Sequence, residues 1–299
     1  MELSLSTLCD WVRQLAGVTG RVVEQMKAEQ RRVSWLLTDG TGIPVLDGTP
    51  GKTGSGRLWV YVSKEHVVYE YTASKEGKNP VAHLKGFSGV LVADGGSEFN
   101  AVIRAMGLTR AGCWSHARRY FWEAKEEDPK ASKEILALYQ ELFEAERKIA
   151  GAALEERRRA RSDEILCIIT KIKTWLSERV NRYRPKSGMG AAVRYSLNQW
   201  ESLEVCVKHP EIPIHNNMSE LQLRTPVIGR KNWLFAGSEG GAEAAATLFS
   251  LMSSARLQRL DPWEYLTWML GKIGDTQLSG LSELTPAAYA RQKSGALAG

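Results

Sequence analysis

Apolar side chains in the first thirty residues recur at intervals of three or four, which is the spacing of one helix face. These positions are Leu8, Trp11, Val12, Leu15, Val18, Val22 and Met26. The charged stretch 27–32 closes the pattern. We therefore predict an N-terminal helical segment over residues 1–32.

From residue 33 to 128 the pattern changes to short apolar runs of the kind that form strands. A run at 33–39 is followed by a cluster of Gly and Pro over 40–56. Runs at 58–62 and 67–71 flank the polar Ser63–His66, which predicts a hairpin. A further buried strand is predicted at 90–93, with a short helix or turn at 80–85 before it.

Helical spacing returns over residues 129–208 and predicts an α-helical block within a mixed α/β protein. Over 209–275 we expect further helices, one beginning at Asn216–Asn217 and a last one at Asp261–Pro262, where Asp suits the N-cap and Pro the first turn. Residues 276–299 are interpreted as a C-terminal tail, frayed from Ser294 onward.

Composition adds that the chain is an ordinary globular one: 299 residues, 43% hydrophobic and 25% charged. No apolar run approaches the roughly 18 residues that cross a bilayer. The N-terminus lacks the features of a secretory signal, and the four scattered cysteines form no CxxC pair. We expect a cytoplasmic protein with reduced thiols and no membrane partner.

Basic charge is concentrated in one part of the chain. The formal net charge is +6, and the segment 145–186 alone carries twelve basic and six acidic residues. Such an excess suits a polyanionic partner such as DNA. A long exposed helix that carries solubilising charge is the alternative, and charge alone does not decide between the two.

Three acids carry the candidate chemistry: Asp39 and Asp94, each following an apolar run, and Glu220 in the first turn of a predicted helix. Asp39 and Asp94 are separated by 54 residues, and Asp94 and Glu220 by 125, which include the helical block. Strand ends converge at one edge of an α/β sheet, and two-metal phosphoryl transfer needs several carboxylates in one cleft.

Each acid also has a structural interpretation. Asp39 and Asp94 both precede Gly and suit turns. Glu220 stands at capping-box spacing from Asn217 and at ion-pair spacing from Arg224. Singly, none of the three identifies a site.

Several motifs in a fixed order change this picture. They are Thr38–Thr41 (TDGT), Gly56–Tyr61 (GRLWVY), Ala93–Gly95 (ADG), Cys113–Arg119 (CWSHARR), Asn216–Arg224 (NNMSELQLR), Gly229–Ser238 (GRKNWLFAGS), Ser250–Leu251 and Asp261–Leu266 (DPWEYL). Together they span nearly the whole chain, and the chain thereby resembles the insertion-sequence-66 family of transposases.

The resemblance implies an α/β, RNase H-like mixed sheet with a large α-helical insertion, 129–208, between the second Asp and the Glu. The catalytic core would then consist of 33–128 and 209–275. The resemblance assigns a DDE active site to Asp39, Asp94 and Glu220, which would hold two Mg²⁺ ions, with Mn²⁺ as a substitute. Asp39 would bridge both ions.

The sequence departs from the family at two positions next to these motifs. Family members commonly carry Glu where this chain has Gly40, and Asp where it has His215. They also have a substantial N-terminal region with DNA-binding and zinc-binding character, which precedes the part matched here. We therefore interpret the chain as a truncated copy, a separate catalytic portion or a diverged variant.

Other side chains are candidates for DNA contact or for support of the carboxylates. Arg118 and Arg119 precede an aromatic run, 120–122, that suits phosphate binding and base stacking. Arg230 and Lys231 are expected in a Gly-flanked loop after the Glu220 helix. The remaining predicted DNA contacts are Arg157, Arg158, Arg159, Arg161 and Arg224.

A second group of side chains is predicted beside the metal ligands. These are Cys113, His116, Asn216 and Asn217. The CxxH pair Cys113/His116 is half a zinc site by spacing, but a buried thiol and a hydrogen-bonded histidine are favoured because two further ligands are missing.

The function these features favour is a DDE-type DNA transposase, a polynucleotidyl transferase that cleaves and joins element ends and target DNA. Its expected partners are DNA, further copies of itself in a homo-oligomer, and accessory proteins of the same element, in association with the bacterial nucleoid. Two alternatives remain open, a non-catalytic DNA-binding remnant and a host nuclease on the same fold. Metal-dependent nicking of an element end separates the first alternative from a transposase. Cutting without sequence preference or strand transfer identifies the second.

Overall fold

A computed structural model describes residues 3–46, 51–74 and 78–296. The chain folds into two compact units. The first comprises Met1–Gly89, Glu98–Leu108 and Met218–Gly299, and the second comprises Val90–Ser97 and Thr109–Asn217. Within the described ranges, no helix combines the length and the apolar character needed to cross a membrane.

The first unit contains three antiparallel strands, and β2 lies between the other two. They are β1 (Trp35–Leu46), β2 (Thr53–Val62) and β3 (Val67–Thr72). The predicted hairpin is confirmed, with Val62 opposite Val67 across the Ser63–His66 turn. Asp39, Val60 and Tyr69 are aligned across the three strands, so their side chains share one face of the sheet.

Strand β1 continues beyond Asp39, where a turn-rich Gly/Pro cluster was expected. Gly40 and Gly56 serve close packing here: a Cβ on Gly40 would lie 2.9 Å from the Trp59 ring, and one on Gly56 would lie 2.5 Å from Tyr71. These glycines let large cross-strand side chains lie over the backbone. Asp39 is therefore inside a strand rather than at its end. Residues 47–50 of the cluster lie outside the described ranges.

Several helices of the first unit contribute to a core of side chains that are almost fully buried. The helices are α1 (Leu5–Gln30), α2 (Lys78–His83), α3 (Ser97–Met106), α10 (Asn217–Trp233), α11 (Glu239–Leu257), α12 (Pro262–Ile273) and α13 (Pro286–Ala296). Val22, Met26, Leu251, Tyr265 and Met269 lie in this core. The expected N-terminal helix and the Asp261 N-cap are both confirmed.

Helix α11 covers the free edge of β3 with serine hydroxyls. Ser254 accepts from the Val67 amide at 2.8 Å and donates to its carbonyl at 2.9 Å, and Ser250 accepts from the Tyr69 amide at 2.8 Å. An unpaired strand edge is open to association with other strands. Buried serines satisfy this edge from within the unit.

Residues 276–299, expected as a tail, are folded as far as they are described. A 3₁₀ helix, Leu278–Leu284, leads into α13. Leu281 and Leu284 are buried in the core, and the hydroxyl of Tyr265 donates to the Leu284 carbonyl at 2.9 Å. Leu278, Leu281 and Leu284 recur every three residues, which is a helical spacing that the interpretation as a tail did not take into account. Residues 297–299 lie outside the described ranges.

The second unit is mostly helical, with two short parallel strands, β4 (Val90–Val92) and β5 (Thr109–Ala111). Its helices are α4 (Trp114–Glu123), α5 (Pro129–Lys148), α6 (Leu154–Ala160), α7 (Leu166–Arg179), α8 (Gly188–Asn198) and α9 (Trp200–Lys208), and a π-helical turn, Arg161–Ile165, joins α6 to α7. The helical character predicted for 129–208 is confirmed. Trp114 lies at the centre of an aromatic core, 5.7 Å from Trp200 and 6.1 Å from Tyr139 between ring centroids.

Candidate active site and nucleic-acid surface

Asp39 is the half-buried acid of β1. It follows the buried Leu36, Leu37 and Thr38, and its Oδ1 accepts a 2.7 Å hydrogen bond from the Gly40 amide. This local bond orients the carboxylate at the sheet face that it shares with Tyr69. Asp39 and Glu220 belong to the first unit, and Asp94 belongs to the second.

Glu220 is half-buried in the first turn of α10, a helix that contains Pro226. Proline has no N–H, so the carbonyl four residues earlier, that of Gln222, loses its helical donor. The Tyr69 hydroxyl donates to this carbonyl instead, at 2.8 Å. Burial raises the pKa of Tyr69 to about 12, so the hydroxyl stays a donor at physiological pH.

The far end of α10 is held by β1. Arg230 donates to the carbonyl of Gly42, three residues after Asp39. The contact at Gln222 thus attaches α10 to β3, and the contact of Arg230 attaches its last turn to β1. Arg230 and Lys231 lie in the last turn of this helix, which corrects the loop expected for them. Arg230 is half-buried, whereas Lys231 and Arg224 are exposed.

Asp94 follows β4 at a tight turn, where its Oδ1 accepts from the Gly96 amide at 3.0 Å. The neighbouring Gly95 packs against Tyr195 of α8, since a Cβ there would lie 3.1 Å from its ring. Burial raises the pKa of Tyr195, and the negative charge of Asp94 raises it further. Tyr195 also stacks on Tyr120 at 4.4 Å between ring centroids.

Arg110 of β5 interacts electrostatically with Asp94. Burial lowers the pKa of Arg110, and the charges of Tyr195 and Asp94 oppose that shift. Its guanidinium donates to the side-chain carbonyl of Gln199. The sequence pattern did not identify Arg110, Tyr195 and Gln199 as candidate site residues. It marks them only as ordinary positions of a helix or a strand.

The Cys113/His116 pair stands at the start of α4. Cys113 is buried, and its Sγ accepts a 3.2 Å hydrogen bond from the Asn216 amide. His116 is half-buried, Asn216 is buried and Asn217 is exposed. A thiol that accepts from a backbone amide fits the structural interpretation of this cysteine, which fixes the segment leading into α10.

A groove of about 1210 Å³ runs along the second unit between α4, α5 and residues 213–217. Its charged lining consists of five basic side chains, Arg118, Lys125, Lys133, Arg147 and Arg157, and three acidic ones, Glu126, Glu144 and Glu146. Trp122, which is 50% exposed, lies there with the Lys125 ammonium 4.0 Å from its ring centroid. A basic groove with an exposed aromatic ring suits a nucleic-acid strand. Lys133, Gln140 and Arg147 recur every seven residues along α5 and therefore lie on one face of that helix. This spacing is the sequence signal for one wall of the groove.

Arg161 does not belong to this surface, which corrects its predicted DNA contact. Its side chain is fully buried. Two of its N–H groups bind the Glu146 carboxylate at 2.6 and 2.9 Å. The others donate to the backbone carbonyls of Cys206, His209 and Ile212. Because these bonds use all five guanidinium donors, none is left for a phosphate.

The other basic positions of α6 and α4 differ in accessibility. Arg157 is half-buried and donates to the Ile212 carbonyl at 3.3 Å. Arg158, Arg159 and Arg119 are exposed, and Arg118 is half-buried. Arg158 and Arg159 are therefore the exposed members of the 157–161 cluster, and Arg158 Nε lies 3.3 Å from Glu155 Oε2.

Comparison with known proteins places these features in a family. Residues 1–244 match the model described as "Transposase IS66 family". The chain is 30% identical to the uncharacterized protein y4hP of Sinorhizobium fredii (strain NBRC 101917 / NGR234), with 97% of this chain and 57% of y4hP aligned. It is 28% identical to y4qI and 28% identical to y4jD of the same strain, covering 54% and 60% of them. The chain thus spans somewhat more than half the length of these relatives. Since the family match covers most of the chain, the protein belongs to the IS66 family of transposases.

Proposed function

We propose that this chain is the catalytic part of a DDE transposase, which cleaves DNA strands and joins them to target DNA. Asp39, Asp94 and Glu220 are its catalytic carboxylates. The observation that carries the proposal is the bond from Tyr69 to Gln222: it ties the helix of Glu220 to the sheet face that presents Asp39. Family membership supplies the reaction class.

The donor chemistry fits divalent metal ions. Asp39 and Asp94 are half-buried carboxylates, each oriented by a backbone amide, and Glu220 is a third half-buried carboxylate. Oxygen donors of this kind suit Mg²⁺, with Mn²⁺ as a substitute. When bound, two such ions activate the attacking oxygen and stabilise the leaving oxygen of a phosphodiester. Asp39, Asp94 and Glu220 would hold them.

The remaining residues bind and orient the DNA. Lys231 is an exposed cation at the end of the Glu220 helix, and Arg230 fixes that end to β1. In the second unit, the groove beside Trp122 carries the strand, with Arg118 and Arg157 facing its phosphates. In this assignment the chain has an RNase H-like core with an inserted helical block.

The partners follow from the reaction and belong to the same proposal. They are the ends of an insertion sequence, target DNA, further copies of the chain and accessory proteins of the element. The protein then works at the nucleoid.

The direct test uses a supercoiled plasmid that carries the inverted repeats flanking the gene. With Mg²⁺, the transposase assignment predicts nicks at the repeat ends and joined products with a second plasmid. Binding without any nicking would identify a DNA-binding remnant. Cutting at random positions without joining would identify a nuclease. Either result overturns the proposal.

A further inference from the structure

Three consecutive large apolar side chains are exposed directly after α10. Trp233 is 37% exposed, Leu234 63% and Phe235 39%. A substantial part of their surface is exposed to solvent, and contiguous exposed apolar residues commonly mark interaction sites. We call Trp233–Phe235 the wedge segment.

The backbone of the wedge segment is in a conformation that large residues disfavour. Leu234 has φ 63°, in the left-handed region where a helix normally ends with Gly or Asn. Its exposed side chain does not recover the backbone cost by packing. An exposed residue in a strained backbone conformation points to a role for its side chain outside the fold.

Hydrogen bonds on both sides hold the wedge segment rigid. The Leu234 amide donates to the Arg230 carbonyl at 2.8 Å, and the Phe235 amide donates to the Trp233 carbonyl at 2.7 Å. The next residue, Ala236, exchanges bonds of 2.9 and 3.0 Å with Pro44 and Leu46 of β1. The Trp233 indole lies back over Gly229, where a Cβ would stand 2.8 Å from its Nε1. Leu234 is therefore presented on a fixed support.

The positive charge beside the wedge segment indicates an anionic ligand. Arg230 and Lys231 occupy the last helical turn, and Lys231 is exposed. A rigid apolar tip beside cations matches DNA opened at one base step, where unstacked base faces are apolar and the flanking phosphates are anionic. The exposed Lys231 and the membership of a transposase family favour DNA over a partner protein or a second copy as the ligand.

We propose that the wedge segment enters duplex DNA at an opened base step, with Leu234 between the bases and Lys231 against a flanking phosphate. This inference rests on the proposed function, because it takes DNA as the substrate. It assigns the segment a part in distorting the DNA that the carboxylates act on.

The test compares two short duplexes of mixed sequence, identical except that one carries a single mismatch beside a 2-aminopurine. Opening costs less at a mismatch, so the wild-type protein should bind the mismatched duplex about tenfold more tightly and raise the 2-aminopurine fluorescence. Leu234→Gly suits the left-handed backbone and removes the tip. It should abolish both the preference and the fluorescence rise, with an unchanged affinity for the paired duplex and an equal or higher melting temperature.

Two further variants keep the result interpretable. Leu234→Asn retains size and tolerates the backbone, and it should behave like Leu234→Gly. Ile228→Ala removes another exposed apolar side chain of α10 and should leave the preference intact. An unchanged preference in Leu234→Gly would overturn the proposal. So would a lower melting temperature with normal DNA binding, or loss of self-association as the only effect.

These outcomes are independent of the plasmid assay. A wild-type protein that cleaves and joins but shows no mismatch preference would refute the wedge alone. A mismatch preference that depends on Leu234, without any cleavage, would refute the transposase activity and leave the wedge standing.

Discussion

The hydroxyl of Tyr69 donates to the backbone carbonyl of Gln222, at the position in α10 where Pro226 has no amide to offer. Tyr69 and Asp39 share one face of the sheet, two strands apart, at roughly 10 Å between their backbones. A single side chain thus repairs the helix interrupted by Pro226 and fixes it to the sheet. Glu220 stands two residues before the anchored carbonyl.

We expect Tyr69→Phe to lower the free energy of unfolding by about 1–2 kcal/mol, because the partly buried Gln222 carbonyl loses its donor. In a Pro226→Ala background the new amide can bind that carbonyl, so the same change should cost less. A double-mutant cycle by urea unfolding measures the coupling. Equal costs in the two backgrounds would show that the hydroxyl does not compensate for Pro226.

Substitution of Arg161 should reduce stability, whereas substitution of its exposed neighbours should reduce DNA binding and leave stability nearly unchanged. Arg161→Gln leaves the partly buried Glu146 carboxylate without its partner and removes the donors of three carbonyls, so we expect a loss of about 3–5 kcal/mol. Replacing the exposed Arg158 and Arg159 by Gln should change stability by less than about 0.5 kcal/mol each.

The same pair of exposed arginines should reduce the salt dependence of DNA binding. Each phosphate contact contributes a slope of about −0.9 to log K against log salt, so the double variant should flatten the slope by up to about 2. Anisotropy titrations of a labelled duplex at several salt concentrations measure it. An unchanged slope would make α6 a solvated surface only.

Acid should weaken the first unit through His83. This buried ring stacks on Tyr61 at 3.6 Å, and its Nδ1 lies 3.1 Å from Glu70 Oε2. Burial lowers the pKa of His83 below 6.5, against the opposing effect of Glu70. Below pH 6.5 the unfolded chain therefore binds a proton that the folded chain does not. The stabilisation is complete above pH 6.5 and is lost as the pH falls toward the folded pKa, by at most about 1.4 kcal/mol per pH unit.

Glu70 adds a second loss at lower pH. Burial raises the pKa of its carboxyl, but the bond and charge of His83 and the charge of Lys27 outweigh burial and lower it below 4.5. Its contribution to the free energy of unfolding is present above pH 4.5 and lost below.

Urea unfolding at about pH 7.5 and about pH 5.5 tests the contribution of His83. The free energy of unfolding should be lower at the lower pH for the wild type, and this difference should be smaller for His83→Phe. Equal drops would exclude His83 as the source.

Gly40 should not accept the residue that family members commonly carry. A Cβ at this position meets Arg57 Nε at 2.7 Å and the Trp59 ring at 2.9 Å. We expect Gly40→Ala to cost about 1–3 kcal/mol by overpacking, and less when Arg57 is also Ala. Thermal unfolding of the two pairs measures this. A neutral Gly40→Ala would show that the strand relaxes.

The elements were largely predictable, whereas the contacts that position the site were not. Apolar periodicity gave the hairpin at Ser63–His66, the helical block and the N-cap Asp261. It could not show that Gly40 is a packing glycine inside a strand, because Asp-Gly is also a common turn. Nor could it show that Arg161 turns inward, since a π-helical turn shifts the register by one residue and local charge runs look alike on either side of it.

The central claim is that Asp39, Asp94 and Glu220 act together in Mg²⁺-dependent DNA cleavage. The most direct measurement is the cleavage rate of Asp39→Asn, Asp94→Asn and Glu220→Gln on the plasmid with element ends, alongside the exposed Asp163→Asn as a matched control. Each of the three should fall below about one hundredth of the wild-type rate, because a hard cation loses a charged oxygen ligand. DNA binding and circular dichroism should stay unchanged, and the control should remain active. A near wild-type rate in any of the three would remove that residue from the site and contradict the assignment.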